Sequence, residues 1–280
     1  MHRSGTSAVA GTAVRLGLAP PCTPLPAAAD DNPGGFYEST PVVEANYHIL
    51  LAAGCSWNLC LTFEPDRILE TLQPGTPRVL ALTLQREFGI SPAFVLKDPR
   101  MCLTLPAWIP ALHAFGTVPS VLIVVRHPAE VVWSLARRNQ LPEVETAPHW
   151  LHHMLEAERS SRGLPRAVLF YNDLLRDWRR CIRHVGHTAS ITWPRRFEAA
   201  SRGIDSFLTR PSHYSAAPAA IPGPPAVRQL IDATWATFRS LSDDPSAPAA
   251  LACLDQVRAQ FAHWRREAYP PGFKVVFPAT

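Results

Sequence analysis

Val121-Leu122-Ile123-Val124-Val125-Arg126-His127-Pro128-Ala129-Glu130-Val131-Val132-Trp133-Ser134 changes character part-way along. Its first five residues, four of them β-branched, have the length and composition of a buried parallel strand. Arg126 and His127 end the run, Pro128 suits a first helical position, and a helical pattern follows over 129–138. A strand that turns straight into a helix is the repeating unit of α/β folds, in which ligands sit beyond the carboxyl ends of the strands. Arg126 and Ser134 are eight residues apart, so the strand end and the second turn of the helix can face one anion. A guanidinium gives a phosphate two parallel hydrogen bonds, and a serine hydroxyl completes its coordination.

Two further apolar runs read as buried strands, Ala93 to Leu96 and Ala167 to Tyr171. Each ends abruptly in polar residues, Lys97-Asp98-Pro99-Arg100 and Asn172-Asp173. Helical patterns lie at 8–18, 41–53, 64–73, 76–88, 103–115, 143–161 and 173–186. The alternation predicts an α/β fold, a doubly wound parallel sheet with helices on both faces. Residues 190–215 carry Arg195, Arg196, Arg202 and Arg210 with little periodicity and read as a loop over the site. Residues 216–225 read as a linker, and two amphipathic helices, 226–241 and 247–267, complete the chain. The expected organisation is an α/β domain over 1–215 and a helical appendage over 226–280 packed on it.

A chain of 280 residues can bury a full core, and 47% apolar residues fit a globular protein. No apolar run reaches the ~18 residues needed to span a bilayer, and the first residues lack a signal-peptide pattern. A net charge of +4 is too weak and dispersed for a nucleic-acid surface but can draw in an anionic ligand. The six cysteines form no CxxC pair and no zinc-spaced cluster, so free thiols in a reducing cytoplasm are expected. Proline, at 29 residues, is about twice its ~5% average, concentrated in 20–26 and 211–225. His149, His152 and His153 have helical spacing, and the plain reading is a solvated helix face rather than a metal site. The tryptophans at 57, 108, 133, 150, 178 and 193 read mostly as core.

The other anion signal lies at His2-Arg3-Ser4-Gly5-Thr6-Ser7, directly before the helical stretch from Ala8 to Leu18. Small and hydroxyl residues with one glycine suit a loop whose amides wrap an anion at a helix start, and Arg3 adds a full charge. The GxxxxGK[ST] string of nucleoside-triphosphate loops is absent.

Together these segments resemble sulfotransferases that use 3′-phosphoadenosine 5′-phosphosulfate (PAPS). Arg3-Ser4-Gly5-Thr6-Ser7 is similar to the loop that holds the 5′-phosphosulfate in that family, and Arg126…Ser134 to its 3′-phosphate element. Asn32-Pro33-Gly34-Gly35-Phe36-Tyr37-Glu38 and Val168-Leu169-Phe170-Tyr171-Asn172-Asp173-Leu174 resemble segments of bacterial members. The resemblance covers about residues 1–186, and the R-K-G segment of many cytosolic members has no counterpart. It implies that PAPS is the co-substrate, bound by Arg3, Ser4, Gly5, Thr6, Ser7, Arg126 and Ser134, with no metal required.

Lys97, in a Lys-Asp-Pro setting like that of tyrosylprotein sulfotransferases, and Arg3 would then neutralise charge on the leaving phosphate. Glu38 is the candidate general base, with a charge at the start of a helix as its alternative role. His127 is a rival base, and Arg100 could bind either end of the co-substrate. The acceptor is a small-molecule, glycan, lipid or natural-product hydroxyl or amine, with Phe36, Tyr37, 140–150 and 195–215 facing it. Two other readings stand beside this one: a kinase-like phosphotransferase needing ATP and Mg²⁺, and a truncated, inactive nucleotide-binding relative. Relatives carry a strand just before the loop, so about 6–12 residues of central strand are expected upstream of Met1.

Overall fold

The run Val121–Val125 forms β1, and Arg166–Phe170 forms β2. The two pair in parallel, with Val121 opposite Arg166 and Val125 opposite Phe170. The crossover between them contains α6 (Pro128–Asn139) and α7 (Glu143–Ser160). The computed structural model describes residues 1–28, 31–58, 60–61, 64, 67–140, 142–208 and 221–270. Among these residues the chain is mostly helical, and its one sheet has two strands.

Before β1 come α1 (Thr6–Arg15), α2 (Thr40–Ala52), α3 (Arg67–Thr71), α4 (Thr76–Phe88) and α5 (Met101–Ala114). After β2 come α8 (Tyr171–Arg176), α9 (Trp178–Thr188), α10 (Phe197–Leu208), α11 (Pro225–Asp243) and α12 (Pro248–Ala268). Side chains alternate across a strand, so the small sheet has two covered faces. Ile123, Val125, Val168 and Phe170 join a core with α6, α7, α11 and α12, in which Trp150 and Phe238 are fully buried. Val124, Ala167 and Leu169 face the other way, against α1, α9 and α10. A third core, around Trp108, unites α2, α4 and α5.

Several expectations are corrected. The run 93–96 makes one parallel bridge, Phe94 to Ala19, and no strand. Ala19 donates to the Ala93 carbonyl and accepts from the Val95 amide, but Pro20 and Pro21 follow and have no N–H to extend a ladder. Tyr171 is not the last strand residue but the first of α8. The helix expected over 173–186 breaks at Asp177, whose side chain accepts from the Arg180 amide and caps α9. Residues 197–208, expected as loop, are helical, while 209–220 lie outside the described residues. Trp108, Trp150 and Trp178 are buried, whereas Trp57, Trp133 and Trp193 are half-buried.

The largest correction concerns α7. His149, His152 and His153 are not solvated: all three are buried, because α5, α6 and α11 pack around this helix. His149 Nδ1 lies 2.7 Å from the Glu145 carbonyl oxygen, and His153 Nδ1 lies 2.7 Å from that of His149. Burial lowers the pKa of all three and holds the rings neutral. Among the described residues no group of three or more His, Cys, Asp or Glu is placed to hold a metal.

Neutral buried histidines have a pH consequence. Below about pH 6.5 the unfolded chain binds protons that these rings refuse, so stability falls as pH drops. Glu38 and Glu156, whose pKa values burial raises, act in the opposite sense. The histidine part is therefore isolated by comparison with His152→Gln. Between about pH 7 and 5 the urea midpoint of the wild type should fall relative to that of the variant; parallel curves would contradict a neutral His152.

Candidate functional site

The loop before α1 turns sharply: Arg3 and Gly5 both have positive φ, 63° and 86°. Gly5 is required there on two grounds. Its backbone lies in the left-handed region, and a Cβ would come within 2.1 Å of the Tyr171 ring. The turn delivers the first amides of α1, which have no partner inside the helix, to a cleft of about 420 Å³. His2, Arg3, Gly5, Thr6 and Ser7 line this cleft together with Glu38, Lys97, Arg100, Arg126 and Arg138.

Each charged side chain arrives from a different element. Lys97 follows the Phe94 bridge, and its ammonium pairs with Glu38 and donates to the Ser7 hydroxyl at 3.3 Å. Both partners are nearly buried. Burial raises the Glu38 pKa, against the pull of Lys97; burial likewise lowers that of Lys97, against the pull of Glu38. Arg126 leaves the carboxyl end of β1, donates to Glu130 at 2.6 Å and to the Arg3 carbonyl at 3.2 Å, and lies over the Tyr171 ring at 5.0 Å. Arg3 donates through Nε to Ser134 at 2.8 Å and pairs with Asp31. Arg138 reaches the other oxygen of Asp31 at 3.4 Å, and Arg100 pairs with Asp98 at 3.1 Å.

Five cations thus converge on one cleft, each held by a carboxylate of the chain. A basic cleft at a helix start can hold a polyanion, and a buried carboxylate beside an ammonium can accept a proton from a bound hydroxyl.

Comparison with protein-family models, curated proteins and solved structures gives no match.

The expected residues Arg3, Gly5, Thr6, Ser7, Glu38, Lys97 and Arg126 share the cleft wall, and Arg100 joins them. Ser134 is fully buried and meets the cleft residues through Arg3 rather than through Arg126. Ser4 is also fully buried and does not line the cleft. His127 caps α6 and packs edge-on against Trp235 of α11, 5.0 Å away and off the cleft wall. Phe36 lines the cleft, whereas Tyr37 lies behind it, bonded by Arg15 and packed on Phe207.

Two charged cleft residues were not singled out in the sequence, Asp31 and Arg138, and His2 and Tyr171 appeared there only within longer segments and without a role. Arg138 carried a usable signal, because Glu130, Ser134 and Arg138 recur every four residues along one helix, α6. His2 packs against Trp57 with the rings tilted and 4.3 Å apart, and its pKa is lowered first by burial and then by Arg100 and Arg138.

Gly5→Ala should cost about 2 kcal/mol or more, from overpacking against Tyr171 and the left-handed backbone together. Thermal denaturation checks it; an unshifted midpoint would contradict the close Gly5–Tyr171 contact.

Proposed function

We propose that this chain is a PAPS-dependent sulfotransferase, transferring a sulfuryl group to a hydroxyl or amine acceptor. The observation that carries the reading is the meeting of Lys97, Glu38 and Ser7 at the start of α1, in the same cleft as Arg3 and Arg126. A cleft of about 420 Å³ is of the size that takes a nucleotide-like ligand. The resemblance of residues 1–186 to such enzymes points the same way. The reading includes a doubly wound core, with which the parallel pairing of β1 and β2 is compatible. It includes a cytoplasmic setting, with which six free cysteines agree. No helix among the described residues is long and apolar enough to cross a membrane.

PAPS would supply the activated sulfuryl group and leave as adenosine 3′,5′-bisphosphate. The fit to this chain rests on charge: Arg3, Lys97, Arg126 and the first-turn amides of α1 offer positive potential in one cleft. Glu38 takes the proton of the acceptor and becomes neutral. Lys97 then loses the negative charge it was paired with, and its ammonium is free to face the charge that develops on the leaving oxygens. One proton transfer therefore sets both the base and the counter-ion.

Calorimetric titration with adenosine 3′,5′-bisphosphate, without metal, tests the reading. The wild type should bind it in preference to ATP with Mg²⁺, and Arg126→Ala should lose at least about tenfold in affinity. Unchanged affinity in that variant would refute the assignment.

The coupled pair also predicts a pH profile. Activity requires Glu38 ionised and Lys97 charged. The acid limb should lie above the ordinary carboxylate value of 4.5, since burial raises Glu38. The alkaline limb should lie below the ordinary lysine value of 10.5, since burial lowers Lys97. The two limbs belong to the pair, so Glu38→Gln should remove the acid limb as well as lowering kcat. An acid limb that persists in Glu38→Gln would assign the base elsewhere.

A further inference from the structure

We propose that Phe36 and Phe207 form an apolar acceptor subsite beside Glu38, suited to an uncharged ring or chain that carries a hydroxyl, and that Gly11 positions it. The inference deepens the sulfotransferase reading and rests on it for the hydroxyl; the apolar wall stands on the chain itself. Leu25, Phe36, Phe207 and Leu208 line the cleft, and all four are half-buried. Leu25, Phe36 and Phe207 belong to none of the three cores. Their packing therefore leaves apolar surface in the cleft, where a ligand of the same character can cover it.

This wall begins at the proposed base. The Leu25 amide donates to the Glu38 carbonyl at 2.7 Å, and Phe36 lies two residues before Glu38. The Phe36 carbonyl accepts from the Ser7 hydroxyl at 3.3 Å, and that hydroxyl accepts from Lys97, the partner of Glu38. One turn along α1 from Ser7 stands Gly11, on which Phe207 lies. No charged residue occurs on α1 between Thr6 and Val14. The next charge, Arg15, is not on the cleft wall. Its guanidinium lies over the Phe207 ring at 3.9 Å and donates to the Tyr37 hydroxyl and the Gly11 carbonyl, both at 2.9 Å. Along this stretch α1 offers an entering group apolar contact and no charge.

Gly11 shapes the wall through Phe207. Glycine is unfavourable inside a helix, and Gly11 is buried in the middle of α1. A Cβ at this position would come within 2.4 Å of the Phe207 ring and 2.8 Å of the Tyr37 ring. The missing side chain lets Phe207 lie directly on the helix, while Tyr37 meets it edge-on at 6.0 Å and Arg15 covers it. Gly11 does not line the cleft, so it is a positioning residue: a side chain there would lift the ring off α1 and change the width of the subsite.

The test measures binding and transfer separately in wild type, Phe207→Ala, Phe207→Leu, Gly11→Ala and the double variant Gly11→Ala/Phe207→Leu. Calorimetric titration uses 2-naphthol as the apolar probe, N-acetylglucosamine as the polar one and adenosine 3′,5′-bisphosphate for the nucleotide. The wild type should bind 2-naphthol in preference to N-acetylglucosamine. Phe207→Ala should weaken that binding about tenfold or more, Phe207→Leu should recover part of it, and bisphosphate affinity should stay constant. In transfer assays with PAPS the same loss should appear in KM for 2-naphthol rather than in kcat. Gly11→Ala should weaken 2-naphthol binding when Phe207 is present and much less beside Phe207→Leu, which lacks the ring tip that the new Cβ would strike. Equal 2-naphthol affinity in wild type and both Phe207 variants would overturn the proposal, as would a preference for N-acetylglucosamine. An equal loss from Gly11→Ala in both backgrounds would overturn the role of Gly11. Phe207-dependent binding of 2-naphthol, with neither bisphosphate binding nor transfer by any of the proteins, would refute the sulfotransferase reading and leave the apolar subsite standing.

Discussion

Arg3 joins three segments through one guanidinium and one carbonyl. Its Nε reaches Ser134 on α6, its NH1 pairs with Asp31 in the 31–35 turn, and its carbonyl accepts from Arg126 at the end of β1. The residue can do this because its backbone adopts a positive φ, 63°, which turns side chain and carbonyl in directions a helical start would not allow. Gly5 then reverses the chain into α1 under the Tyr171 ring. This junction gives the loop before α1 its polar links to the end of β1 and to the face of α6, which Arg126 and Glu130 already join to each other.

Collecting five cations in a half-buried cleft is unfavourable unless each is offset, since desolvation of a charge costs several kcal/mol. The chain offsets them one by one: Lys97 with Glu38, Arg126 with Glu130, Arg100 with Asp98, and Arg3 and Arg138 with Asp31. These pairs keep the cleft assembled in the absence of ligand, which under the proposed function leaves little reorganisation for the moment of reaction. They differ in consequence. Glu130 and Asp98 are neighbours in sequence of the cations they hold and keep them aimed, whereas Glu38 and Asp31 reach cations distant in sequence.

Much of this was legible from residues at the ends of apolar runs. Val121–Val125 forms a strand and its Arg126 lines the cleft, and Lys97 stands at the end of another run even though Pro20 and Pro21 limit that run to one bridge. Glycine and small residues before α1 marked the loop. The misreadings have physical causes. Three histidines on α7 looked like a polar face, but α5, α6 and α11 pack around the part of the helix that carries them and shut these rings off from water. In 190–215 four arginines masked Phe197, Ala200, Ile204 and Phe207, which recur at helical spacing along α10, a helix packed against α1. Asp31 was invisible, because a carboxylate in a Pro-Gly turn gains meaning only from the two arginines that the fold brings to it, 28 and 107 residues away in sequence.

The central claim is that the cleft passes a sulfuryl group rather than merely holding an anion. Incubation of the wild-type protein with sulfur-labelled PAPS and an extract of the producing cell tests it most directly. The account predicts label in a discrete acceptor product with stoichiometric release of adenosine 3′,5′-bisphosphate, and loss of both with Lys97→Ala. Bound bisphosphate with no label transferred, or transfer undiminished in Lys97→Ala, would contradict it.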